Sequence, residues 1–140
     1  MSRILALDWG SKRVGVAISD GLRMFASPFD TFDAKPRQEL LRKIEKVIQA
    51  EEVELVIVGV PFNMDGTEGD SAKQARQLVE DVEKLGIVVE TVDERLSSFQ
   101  AEMKLREAGR KPSRDKGRID RAAAAIFLQE YLDSLGNKIL

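Results

Sequence analysis

Ile4-Leu5-Ala6-Leu7 is a short apolar run closed by Asp8-Trp9-Gly10-Ser11, the pattern of a strand ending in a tight turn. Arg13 to Ser19, rich in Val, Gly and Ala, predicts a second strand, and Asp20-Gly21 after it is a strong short-hairpin signal. Met24 to Phe32 predicts a third, which Pro28 marks as an edge or bulged strand. Together they form an antiparallel meander, and hairpin order places the first strand toward the centre of a sheet.

Beyond Pro36 the period changes. Leu40, Leu41, Ile44, Val47 and Ile48 recur at helical spacing, with Pro36 in the favoured first-turn position. Leu55 to Val60 is a continuous run, as in a strand buried on both faces, and Pro61 ends it. A loop with turn signals at Asn63, Asp65-Gly66 and Gly69 leads to a second helical stripe, Ala72, Ala75, Leu78, Val79, Val82 and Leu85, stopped by Gly86. Ile87 to Val92 predicts a second buried strand. Ser97 with Gln100 forms a capping-box pattern for a helix to about Ala108, stopped by Gly109. A last helix is predicted from about Gly117 to Leu135, ending at Gly136. The order β-β-β-α-β-α-β-α-α predicts one α/β domain over 1–140. Its mixed five-stranded sheet combines the meander with two parallel βα units and carries helices on both faces.

Composition narrows the chemistry. The 140 residues include no Cys and no His, which excludes disulfides, thiolate zinc sites, cysteine nucleophiles and imidazole-based triads. A bound metal must therefore take oxygen ligands, which favours Mg²⁺, Mn²⁺ or Ca²⁺. Apolar runs such as Leu55–Val58 and Ala122–Leu128 fall far short of a membrane span, and Asp8 interrupts the apolar N-terminal stretch. A cytoplasmic location without membrane association is expected. The net charge of −2 hides an asymmetry: Lys104 to Arg118 holds seven basic residues against two acids. A cationic segment on an acidic chain suits a polyanion, although a solvated surface is the commoner use of such a run.

Three carboxylate positions stand out. Under strand alternation Asp8 shares a face with Ile4 and Ala6, where a carboxylate is costly unless paired, hydrogen-bonded or metal-bound. The ordinary alternative is a turn-capping Asp. Asp93 and Glu94 follow a predicted buried strand, where functional groups of α/β sheets collect; they also suit a helix start. Asp120 shares the apolar face of the last helix with Ala124, Phe127, Leu128 and Tyr131, a face expected to pack on the sheet; the ordinary alternative is an N-terminal-turn Asp complementing the helix dipole. Converging carboxylates of this kind can hold one or two hard divalent ions that neutralise phosphate oxygens and activate water. Lys12, Arg13, Arg95, Arg110, Lys111, Arg114, Lys116 and Arg118 are the cations available to align a nucleic-acid backbone. With one Trp, one Tyr and six Phe, a broad base-stacking platform is not expected.

The run Leu7-Asp8-Trp9-Gly10-Ser11-Lys12-Arg13-Val14-Gly15-Val16-Ala17 resembles the N-terminal motif of the YqgF/RuvX family of ribonuclease H-like proteins. Gly59-Val60-Pro61 with Gly66 and Gly69, Asp93 to Ser98, and Lys116 to Ala124 resemble that family's later motifs, in order. The resemblance implies a ribonuclease H-like fold, kinship with Holliday junction resolvases, and a nuclease role in maturing the 5′ end of precursor 16S ribosomal RNA. It places the catalytic and metal-binding acids at Asp8, Glu94 and Asp120, with Mg²⁺ or Mn²⁺ as the ion. RNA is the favoured partner and structured DNA the alternative. Two other readings remain open. Asp8-Trp9-Gly10 echoes the phosphate motif of actin/hexokinase-type phosphotransferases, for which 140 residues supply only one of two required domains, and a non-catalytic RNA-binding assembly factor would keep the fold. Oligomeric state is not legible in the sequence.

Overall fold

The computed structural model describes residues 2–61, 67–93 and 116–139. Three strands open the chain: β1 (Arg3–Trp9), β2 (Arg13–Ser19) and β3 (Ala26–Asp33). Helix α1 (Arg37–Ala50), strand β4 (Val53–Val60), helix α2 (Asp70–Glu83) and strand β5 (Val88–Asp93) follow, and helix α3 (Lys116–Ile139) comes last. The strands form one sheet in the order β3-β2-β1-β4-β5. Its first three members are antiparallel, and β4 and β5 are added in parallel. The predicted mixed sheet is therefore present, with β1 at its centre.

Alternation along the central strands divides the core into two layers. Leu5, Leu7, Val14, Val16, Val56, Val58 and Val60 face α1 and α2, which contribute Leu40, Ile44, Ala75, Leu78 and Val82. Ile4, Ala6, Ala17 and Ile57 face α3, which contributes Ala124, Phe127, Leu128 and Leu132. Removing one such aliphatic or aromatic side chain from water is worth about 1.5–3 kcal/mol. These stripes hold helices on both sides of the sheet. Ala6 and Ala17, directly paired, leave room for α3 to approach closely.

Several boundaries depart from the sequence expectation for physical reasons. Asp20-Gly21 does not make a two-residue hairpin turn; Ser19 pairs with Ala26, leaving six residues in the loop. The Asp20 carboxylate accepts from the amides of Met24 (2.8 Å) and Phe25 (3.0 Å), so its side chain organises a longer loop. These amide bonds, that from Phe25 foremost, hold its pKa below the usual value. The bulge expected at Pro28 is present, because Val16 pairs with Asp30 while Ala17 pairs with Pro28. The strand predicted as buried, Ile87–Val92, is instead the sheet edge β5, with Val88 66% exposed. An apolar run alone does not distinguish an edge from a centre. Gly86, at φ 92°, ends α2 as predicted. Gly136 does not end α3, which continues to Ile139; the glycine sits exposed within the helix, at about 1 kcal/mol relative to Ala. The predicted helix from Ser97 to Ala108 and the turn signals at Asn63 and Asp65-Gly66 lie outside the described residues.

Candidate active site at the carboxyl end of the sheet

One row of paired residues crosses the sheet near the carboxyl ends of β1 and β4: Thr31, Gly15, Asp8, Gly59 and Val92. Alternation with Ile4 and Ala6 turns Asp8 toward α3. Both lateral neighbours of this half-buried carboxylate on that face, Gly15 and Gly59, are glycines.

The start of α3 is seated on this row. A Cβ placed on Gly15 would lie 2.1 Å from the carbonyl oxygen of Asp120 and 2.5 Å from its carbon, so the helix backbone rests on the glycine itself. Thr31 Oγ1 donates to the Gly117 carbonyl, and Arg121 Nη1 donates to Thr31 Oγ1 at 3.4 Å. The N-terminal turn of α3 is thereby tied to β2 and β3. Asp120, half-buried, accepts from Arg13 Nε at 2.7 Å through Oδ2.

The structure thus brings two of the three predicted acids, Asp8 and Asp120, to one end and one face of the sheet, from stretches of chain far apart in sequence. Asp93 ends β5 opposite Val60, in the row after Asp8. Glu94, Arg95, Arg110, Lys111 and Arg114 lie outside the described residues, and among those described no three acids gather closely enough to hold an ion. Lys12 is exposed in the β1–β2 turn, where its carbonyl accepts from the Ala34 amide at 2.9 Å. Lys116 opens α3, and Arg118 is exposed in its first turn. Two cavities among the described residues, of about 540 and 390 Å³, border Arg3 and Glu51, and Val53 and Val88. Both lie at the opposite end of the sheet.

The hard oxygen donors of Asp8 and Asp120 suit Mg²⁺ or Mn²⁺. Three features were missed by sequence reasoning: Gly15 as the seat of α3, Thr31 as its tether, and the Arg13–Asp120 pair. A glycine within a strand is a known signal of close backbone approach, and Gly15 carried it.

The strand order, with α3 laid over β1, β2 and β3, defines a ribonuclease H-like α/β fold. Two solved structures share it: Thermus thermophilus RuvC in complex with a Holliday junction substrate (TM-score 0.59, 14% identity, 97% of each chain) and the Fowlpox virus resolvase with Holliday junction DNA (TM-score 0.52, 11% identity, 95% of this chain and 98% of that one). The family model described as "RuvX: Holliday junction resolvase" matches residues 2–134, and the chain belongs to that family. Among its relatives, a protein of Endomicrobium trichonymphae is 43% identical over 95% of this chain and 96% of its own length. One of Anaeromyxobacter sp. is 42% identical over 94% and 96%. Both bear the name "Putative pre-16S rRNA nuclease".

Proposed function

We propose that this protein is a divalent-metal-dependent nuclease that hydrolyses phosphodiester bonds of RNA, acting at the 5′ end of precursor 16S ribosomal RNA. The observation that carries the reading is the placement of Asp8 and Asp120 on one face at one end of the sheet, with the α3 backbone locked on Gly15. Family membership supports the nuclease class, and the relatives' names favour precursor ribosomal RNA as substrate.

In this reading Asp8, Glu94 and Asp120 hold one or two Mg²⁺ or Mn²⁺ ions, which supply charge neutralisation and a water nucleophile. The chain's own part is geometric. Gly15 seats α3 next to Asp8, and the ties of α3 to Thr31 fix the height of Asp120 above the sheet. Lys12, Arg118 and the basic run containing Arg110, Lys111, Arg114 and Lys116 supply cations for the phosphate backbone, with Arg95 beside Glu94. No described helix is long and apolar enough to cross a membrane, and a ribosomal RNA precursor as substrate supports a cytoplasmic location.

The family description favours a second reading, in which the substrate is junction DNA. Incubating the protein with Mn²⁺ and either an end-labelled 16S precursor fragment or a four-way DNA junction separates the two. The proposal expects the precursor to be cut preferentially at a defined position, with the cut lost in Asp120→Asn. Preferential junction cutting favours the second reading. No Mn²⁺-dependent cleavage of either substrate overturns the nuclease assignment.

A further inference from the structure

We infer that Arg13 is a positioning residue for Asp120, not one of the cations that grip the nucleic-acid backbone; this rests on the metal-dependent reading above. Its Nε donates to Asp120 Oδ2 at 2.7 Å, a charge-assisted bond between residues 107 apart in sequence. Each side chain is 30% exposed, so the pair is partly withdrawn from water.

Both ends of the contact are fixed by backbone. Arg13 is paired with Asp33 at the start of β2, and the Lys12 carbonyl before it is held by the Ala34 amide. Asp120 sits where α3 rests on Gly15, two residues along β2 from Arg13 and on the same face. With both backbones set, the hydrogen bond selects the orientation of the carboxylate. It occupies one oxygen and leaves the other for an ion. Partners of this kind fix the direction of a ligating carboxylate and typically change metal affinity or activity about 10–100-fold when removed.

The direction of the effect discriminates. If Arg13 acted only as a nearby positive charge, removing it would tighten cation binding. If it gripped phosphate, removing it would weaken RNA binding and lower the salt dependence by about 0.7–0.9 in the log–log slope. A positioning role predicts neither.

The test is calorimetric titration of Mn²⁺ into the full chain as wild type, Asp8→Asn, Arg13→Gln and Arg13→Lys. It is paired with cleavage kinetics and the salt dependence of RNA binding. Arg13→Gln is expected to weaken Mn²⁺ binding about 10–100-fold and lower kcat, with KM and the salt slope unchanged. Arg13→Lys, which keeps a charge and a donor, is expected to fall between Arg13→Gln and wild type. Unchanged or tighter Mn²⁺ binding in Arg13→Gln, or a reduced salt slope with kcat intact, overturns the inference. If Arg13→Gln does not fold, Arg13→Lys decides, and wild-type Mn²⁺ affinity in it overturns the inference. Asp8→Asn keeps the readings apart. Loss of Mn²⁺ binding in Asp8→Asn with none in Arg13→Gln sinks the inference alone, whereas wild-type binding in Asp8→Asn sinks the metal site and the inference together.

Discussion

Gly15 and Asp120 meet backbone to backbone: a Cβ on the glycine would stand 2.1 Å from the aspartate's carbonyl oxygen. The glycine is also the strand partner of Asp8. One residue therefore sets the distance between the strand and the helix that carry the two described acids.

Gly15→Ala should consequently damage the site as well as the fold. The added methyl has to push α3 off the sheet, at a cost of at least about 1–3 kcal/mol, typical of overpacking. For a chain of this size that is a fall in Tm of about 3–10 °C. Thermal unfolding and Mn²⁺-dependent cleavage, measured on the same preparation, should both decline. A variant with wild-type melting and wild-type cleavage would show that α3 does not rest on the glycine.

Phe127, 2% exposed, anchors α3 against Ile4, Ala6 and Ile57. Phe127→Ala is expected to cost about 3–5 kcal/mol, read by denaturant unfolding. A loss below about 1 kcal/mol would mean that α3 is not packed on this layer.

Tyr131 offers a pH signature. Burial, then the hydrogen bond to Glu90, pushes its phenol up to about 12. Its folded pKa lies above the unfolded value near 10, so its contribution to stability is complete below pH 10 and is lost as pH rises through 12. Tyr131 is the chain's only tyrosine, so absorbance titration reads this group alone. A midpoint near 12 is expected, and Tyr131→Phe should flatten the loss of stability between pH 10 and 12. A midpoint near 10 would place the hydroxyl in water.

The basic run makes a prediction about binding. Replacing Arg110, Lys111, Arg114 and Lys116 together by Gln should flatten the log–log salt dependence of nucleic-acid affinity, by up to about 0.9 for each phosphate that is no longer neutralised. An unchanged slope would make the run a solvated surface.

Most of the architecture was legible because it rests on local signals. The apolar run of β1, the Val-, Gly- and Ala-rich segment of β2, the β-branched run of β4 and the helical stripes of α1 and α2 each specify their own element. Gly86 marked the end of α2 because a left-handed residue is required there. What was not legible depends on partners distant in sequence. The exposure of β5 follows from its place at the sheet edge, and the six-residue β2–β3 loop from two amides that choose the Asp20 carboxylate. In the candidate site, the sheet-facing position of Asp120 was readable from helical spacing, and that of Asp8 from strand alternation. The Arg13–Asp120 bond was not, because no pattern within either motif reports a contact between them.

The proposed function requires Asp8 and Asp120 to ligate the same ion. The most direct measurement is anomalous diffraction from a crystal of the protein soaked in Mn²⁺. A peak within about 2.0–2.6 Å of a carboxylate oxygen from both residues is expected. A Mn²⁺ peak that touches neither, or an ion held elsewhere while the two carboxylates point apart, would contradict it.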